Sequence, residues 1–351
     1  MFLKNKMKKV LEIMPILSYN TIKGKDLTER KGMNAVSQSV ESKKVENKKI
    51  DLRNITVQNN LIYYALMFVP LLLIFIFNYL PMFGIIISFQ DYSAGRPFLG
   101  AGVKWVGLKW FRKFVTSFYF PRILRNTLII NTLHLFMGFW VPIVFALAVN
   151  EIRNDKFRKI TQTISYMPHF ISTVIVATMV LSFIASDGII TKFAAVFGLD
   201  TSGLNANPRA FKWIYVLTSV WKSFGWSSIL YLSTITSIDP TLYEAAEVDG
   251  CGRVKRIWHI TIPHMLPLIM IQLIRSIGGM LGSNTDMILL LYNEAVYSHA
   301  DVIGTFVYRE TLLGGKYSYG TASGLLMSIM SFILVWCANT VSRKTTDFSM
   351  W

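Results

Sequence analysis

The chain has 351 residues, 52% of them hydrophobic and only 16% charged, against about 25% charged in soluble domains. It carries a net charge of +16, which in a soluble protein would point to nucleic acid. Here the apolar residues gather in runs of about 20, each long enough to cross a hydrocarbon core of about 30 Å, so the composition excludes a soluble domain and the cations read as determinants of membrane orientation.

Residues 1–57 are rich in Lys, Asn, Ser and Glu and hold no secretory signal core. They read as a basic, weakly ordered cytoplasmic extension. The short apolar stretch Val10–Leu17 is the one place where a surface-lying helix is conceivable. Met33 is an alternative start within the extension.

Six spans follow. The first is Leu61–Phe89, interrupted by Pro70 and Pro81; the second runs over Thr127–Asn150 and the third over Ile164–Ala185. The fourth covers Phe211–Ile235, the fifth Met265–Leu291 and the sixth Gly320–Val341. Only helices fit runs of this length, since a span in lipid must satisfy its own backbone hydrogen bonds. The fold class expected is all-α, with both termini cytoplasmic. That orientation puts 22 Lys and Arg inside and 12 outside, with Lys222 and Arg275 inside spans. The basic outer loop, with Lys104, Lys109, Arg112, Lys113, Arg122 and Arg125, runs against the rule. Its cations face lipid headgroups, a docked protein, acids such as Asp91, Asp286 and Glu294, or an acidic cargo. The domain reading is 1–57 extension, 58–123 first helix and outer loop, 124–342 five-helix core with a polar loop at 239–263, and 343–351 tail.

That polar loop, cytoplasmic in this topology, is the most specific stretch. Asp239-Pro240 starts a helix, because Asp accepts from free first-turn N–H groups and proline suits the first helical position. Gly250 ends it in the left-handed conformation. A second short helix over Arg253–Trp258 is expected, with Pro263 opening the next span. Tyr243, Val248, Ile257 and Trp258 are expected to anchor the loop by burial. On residues alone, an amphipathic connector on the membrane surface fits as well.

Glu244-Ala245-Ala246, three residues, Gly250, nine residues, Ile260, one residue, Ile262 and Pro263 resemble the signature loop of permease subunits of binding-protein-dependent ABC importers. Asp249 before the glycine is also usual; Cys251 and Ile262 replace the commoner Ala and Leu. The resemblance covers about 61–351 and is strongest to permeases of complex or acidic oligosaccharides, carried by "LPMFGIIISFQDY" (80–92), "NEIRNDKFRKITQTISYMPHFIS" (150–172), 290–325 and the terminal "DFSMW". It implies that the loop couples to a separate ATPase. It also implies a second permease, two ATPase subunits, an extracytoplasmic solute-binding protein and a bacterial plasma-membrane location. Nucleic acid has no place in this reading. No cofactor would be bound by this chain, ATP and Mg being used by the ATPase. The cargo implied is an oligosaccharide, with a uronate-bearing one favoured by the cations; an amino acid or peptide is the alternative cargo. A non-transport scaffold or enzyme is the reading from another class.

No Gly-rich phosphate loop with Lys-Ser/Thr occurs, no Ser/His/Asp set assembles, and the two cysteines, Cys251 and Cys337, imply neither disulfide nor metal. Polar residues in spans are the functional candidates. Gln272, Arg275, Gly279, Ser283 and Asp286 follow steps of three and four and would share one face of span five, with Gly278, Gly279 and Gly282 allowing a bend. Helix packing through small residues is the competing role. Span four offers Trp221, Lys222, Trp226 and Tyr231; its aromatic rings suit sugar faces, although at least one Trp suits the membrane interface. Asn126, Asn131 and His134 in span two are weaker candidates, and His134 reads as an interior residue.

Overall fold

The computed structural model describes residues 52–100, 102–198, 203–282, 285–346 and 349–350, with side chains from Tyr63 onward. The expectations for residues 1–51, including the Val10–Leu17 stretch, and for Ser283 lie outside the described residues. No β-strand occurs among them; a single bridge joins Gln90 and Trp105.

The chain divides at residue 74. Before it, helix α1 (Leu52–Ile74) already takes in the end of the extension expected to be weakly ordered. After it, the chain widens into a π turn at Phe75–Tyr79 and tightens into a 3₁₀ stretch at Phe83–Phe89. Pro81, at the first turn of Leu80–Met82, accounts for the irregularity. Its ring crowds the carbonyl four residues back and offers no N–H.

In the second unit, α2 (Lys109–Val115) leads to the long α3 (Phe120–Asn150), which contains Pro142. The third expected span is not one straight helix. It is α4 (Asp155–Phe170) followed by α5 (Thr173–Phe183), bent by 101° at Ile171–Ser172. Pro168 lies in the last turn of α4, and Ile171 has already become extended. The short α6 (Ile189–Val196) precedes α7 (Pro208–Thr236). Asn207 caps α7, its side chain accepting from Arg209 N at 3.0 Å, with Pro208 at the first position. Gly225 lets α7 approach the Ser165 backbone of α4, where a Cβ has no room.

The loop helix α8 (Pro240–Val248) comes next. The expected separate helix at 253–258 is instead the start of the fifth long helix. It runs from α9 (Arg253–Arg256) through a π turn (Ile257–Thr261) into α10 (Ile262–Gly278), so Pro263 does not open it. This helix stops at Gly278, and α11 (Thr285–Leu291) starts afresh, so span five does not continue unbroken to Leu291. Gly278 faces Val335 so closely that a Cβ would stand 2.6 Å from that side chain. Small helical pieces, α12 (Tyr297–Ala300) and α13 (Ile303–Tyr308), lead to α14 (Tyr317–Thr346).

Among the described residues, four helical stretches are long and apolar enough to cross a membrane, or five if the bent α4–α5 pair counts as one. The 29-residue α7 is long enough, but Lys222 and its many Ser, Thr and Trp residues lower its hydropathy. Packing concentrates in three clusters. Val176, Tyr215, Val216 and Ile288 centre one, Ile143, Ala146, Tyr231 and Met265 a second, and Phe114, Ile123, Phe306 and Tyr319 a third. Many other apolar side chains, such as Phe136, Phe170 and Phe332, are exposed, as expected where lipid replaces a protein core.

Candidate functional site: a cavity face and a braced loop

The 239–263 loop starts as its residues dictate. Asp239 accepts from Thr241 N at 2.9 Å, and that N–H holds the Asp239 carboxyl below its ordinary range. The helix ends in a Schellman turn: Gly250 has φ +73°, its N–H reaches Glu247 O at 3.0 Å, and Cys251 N reaches Ala246 O at 2.8 Å. Two links fasten α8 to the helix that follows. Tyr243 Oη lies 2.9 Å from Thr261 Oγ1, which is buried, and Arg256 Nη1 donates to Glu247 at 2.9 Å. Of the side chains expected to anchor the loop by burial, Tyr243 and Ile257 are half-buried but the other two are not. Val248 and Trp258 are 89% and 64% exposed, and with Leu242 and Val254 they give the loop a set of uncovered apolar side chains. Glu244 and Ala245 are exposed too.

α3, α7 and α10 form two adjoining cavities that are partly open, Trp226 and Arg275 being exposed at the larger one. The larger, of about 550 Å³, is lined by residues including Pro142, Trp226, Tyr231, Gln272, Arg275 and Ser276. Arg275 Nε donates to Gln272 Oε1 at 2.9 Å, which fixes the guanidinium plane. The smaller, of about 250 Å³, is lined by Asn131, His134, Tyr215, Ser223, Gly279 and Gly282 among others. Gly138, Phe139, Ser227 and Ser276 line both.

A match over residues 136–346 to the model of the binding-protein-dependent transport system inner membrane component family spans more than half of the chain. The chain belongs to this family. It is a transport permease with several membrane helices. Among relatives, the polygalacturonan/rhamnogalacturonan transport system permease protein YteP of Bacillus subtilis (strain 168) is 41% identical over 271 residues, 77% of this chain and 84% of YteP. Protein LplB of the same organism is 38% identical over 281 residues, 79% of this chain and 87% of LplB. Among solved structures, a bacterial ABC transporter involved in the import of the acidic polysaccharide alginate superposes with a TM-score of 0.75 at 36% identity, covering 84% of this chain and 100% of that one. A second crystal structure, of bacterial alginate ABC transporter in complex with alginate pentasaccharide-bound periplasmic protein, gives 0.76 at 36% identity, covering 84% and 98%.

Within the permease, the candidates of span five part company. Gln272, Arg275 and Gly279 line the cavities, but α10 ends before Asp286, which lies exposed on α11. The shared face expected to run to Asp286 is therefore interrupted. Trp226 lines the larger cavity and stacks on His169 at 4.6 Å. Trp221 instead faces an apolar groove of about 420 Å³ with Phe183, Trp213 and Leu217. Lys222 is tied to the His169 carbonyl at 3.2 Å and lines neither cavity. His134 lines the smaller cavity, whereas Asn126 is committed to the Ser298 and Asp301 carbonyls at 3.0 and 3.1 Å.

The basic outer loop is partly explained by partners within the permease. Lys109 pairs with Asp91 at 3.6 Å, and Lys109 and Lys113 both lie over the Trp110 ring. Arg122 pairs with buried Asp301 at 3.5 Å. Asp301 and the bridging pair Tyr243–Thr261 escaped sequence reasoning. The partners are distant along the chain.

Proposed function

We propose that the chain is the six-span permease subunit of an ATP-driven importer, with both termini cytoplasmic in a bacterial plasma membrane, moving a uronate-bearing oligosaccharide. The observation that carries the cargo reading is Arg275 in the larger cavity, oriented by Gln272 and flanked by Trp226 and Tyr231. A guanidinium grips a carboxylate through paired donors, and aromatic rings offer apolar faces to sugar rings. A cation among spans is costly unless paired or hydrated, and an anionic cargo offsets that cost. Support comes from similar proteins named for acidic chains, a polygalacturonan/rhamnogalacturonan permease and an alginate importer.

The binding protein hands cargo to the outer face. Two ATPase subunits hydrolyse ATP with Mg²⁺, and one docks on the loop through Glu244, Ala245, Ala246, Asp249, Gly250, Ile260 and Pro263 and the exposed apolar side chains beside them. A distinct second permease completes the path, because the polar face of a single chain lines only one side of it.

The test is competition uptake by the reconstituted importer with matched neutral and uronate-bearing oligosaccharides. Wild type should favour the uronate, and Arg275→Gln should reduce that preference by about tenfold, the worth of a charge-assisted hydrogen bond. A preference for the neutral sugar, unchanged by the substitution, would sink the acidic-cargo reading.

A further inference from the structure

The apolar groove that holds Trp221 shares no lining residue with the two cavities. It lies between α5, α6 and α7, and no charged side chain lines it among the described residues. Along α7 its lining follows Ala210, Trp213, Leu217 and Trp221, steps of three and four that keep to one helical face. At 1.5 Å per residue the first and last are about 16 Å apart, one leaflet's share of a hydrocarbon core of about 30 Å. Trp213, Leu217 and Trp221 are all exposed, so nothing among the described residues covers this face.

The Ala210 end has the character of a membrane surface. α6 gives Ile190 to the groove, and its Ile189, Phe193 and Val196, with Phe197 just beyond, are exposed on one face, as in a helix lying at an interface. Two cations stand beside this end. Lys212 Nζ lies 5.9 Å from the centre of the Trp213 ring, and Arg209, about one turn before Trp213, is exposed. Both, with Arg125, press their positive charge on His299. Neither forms an ion pair among the described residues, and Asp187, on the turn before α6, pairs with neither.

A protein surface packed into the groove would supply apolar contact and leave both cations unmet. A phospholipid with a net negative headgroup supplies an acyl chain and an anion together. A zwitterionic lipid brings a cation of its own beside the phosphate, so it gains less from Arg209 and Lys212.

We infer that this groove binds one anionic phospholipid, an acyl chain lying against Trp213, Leu217 and Trp221 and the headgroup phosphate meeting Arg209 and Lys212. In the orientation proposed above, this lipid belongs to the outer leaflet. The site does not depend on the cargo.

The experiment places the complete importer in nanodiscs of phosphatidylcholine with a minor fraction of a lipid brominated midway along its chains, either phosphatidylglycerol or phosphatidylcholine. Bromine quenches indole fluorescence on contact. The difference between wild type and Trp221→Phe isolates the Trp221 signal from the other tryptophans. Brominated phosphatidylglycerol should quench that signal at a concentration at least about fivefold lower than brominated phosphatidylcholine, the worth of one cation near an anionic headgroup. Arg209→Gln with Lys212→Gln should bring the two lipids level, with the thermal midpoint in plain phosphatidylcholine unchanged. Ala210→Phe, which fills the outer end of the groove, should weaken quenching by both. Soluble glycerol phosphate, an anion without a chain, should displace neither.

Equal quenching by the two lipids in wild type would reduce the groove to ordinary lipid contact and overturn the inference. Absence of quenching by either would overturn it too, by showing that protein, such as the second permease, covers the groove. So would a preference for phosphatidylglycerol that survives the double substitution, or displacement by glycerol phosphate. The wild-type comparison decides by itself where the double variant has a lowered midpoint.

Discussion

Asp301 and Arg309 meet through two parallel hydrogen bonds, Nη1 to Oδ1 at 3.1 Å and Nη2 to Oδ2 at 2.9 Å. The carboxylate is 1% exposed, and Thr305 Oγ1 and Arg122 approach it at 2.8 and 3.5 Å. Burial works against the charge of Arg309, but Asp301 outweighs it and holds the guanidinium above its ordinary value. The cluster ties the segment after α11 to the start of α3, where Asn126 and Thr127 also bond to it.

Removing the shared acid should therefore be costly. Asp301→Asn leaves two arginines facing a neutral amide. Loss of one partner of a buried pair costs about 3–5 kcal/mol, and the partial exposure of both arginines puts this case near the lower end. The check is the thermal midpoint of the solubilised protein. Asp301→Asn combined with Arg309→Gln should recover part of the loss, because one uncompensated charge is gone.

Tyr243→Phe should separate the loop from its helix without unfolding either. The ring stays; only the 2.9 Å bridge to Thr261 is lost, worth about 1 kcal/mol. Insertion and ATPase association should persist while cargo moved per ATP hydrolysed falls by about twofold or more, since the loop would yield before pulling on α10. Paired measurement of uptake and hydrolysis checks this. An unchanged ratio would mean that the Glu247–Arg256 link suffices.

The outer end should respond to pH through His299. Burial lowers its pKa, and Arg125, Lys212 and Arg209 lower it further. The folded protein then resists a proton that the unfolded chain accepts near the ordinary imidazole value of about 6.5. Stability should be full above that value and decline as pH falls from it through the folded pKa. His299→Gln should flatten this part of the pH–stability curve, as read by thermal unfolding from pH 7.5 downward.

The readable parts of the fold were those carried by local pattern. α7 and α14 lie within about five residues of their expected limits, helped by Asn207-Pro208 at the start of α7, and α3 ends where expected but starts at Phe120 rather than Thr127. Local pattern misled where one run hides two helices. Pro168 and the polar half of α4 mark a bend that hydropathy alone averages away. Helical-face arithmetic placed Gln272 and Arg275 together because they lie within one helix, and failed at Asp286 because the glycines end that helix first. Gly138 gained meaning only from the cavities, since lining both of them has no sequence signature.

Gly250→Val separates conformation from contact. A Cβ at Gly250 meets no atom within 4 Å, so no neighbour resists the substitution. The backbone does, because φ of +73° lies in the left-handed region. There a residue with a Cβ costs about 1–2 kcal/mol, and a β-branched one is an outlier. Valine should therefore open the Schellman turn, release the Cys251–Ala246 and Gly250–Glu247 bonds and swing α8 away from its place. Membrane insertion should be normal, with ATPase association or stimulated hydrolysis lost. Gly250→Asn is the control, since asparagine tolerates the left-handed region and adds similar bulk. It should keep most of the uptake rate. Full uptake by a well-expressed Gly250→Val variant, or equal loss in both variants, would show that the loop works through something other than this turn.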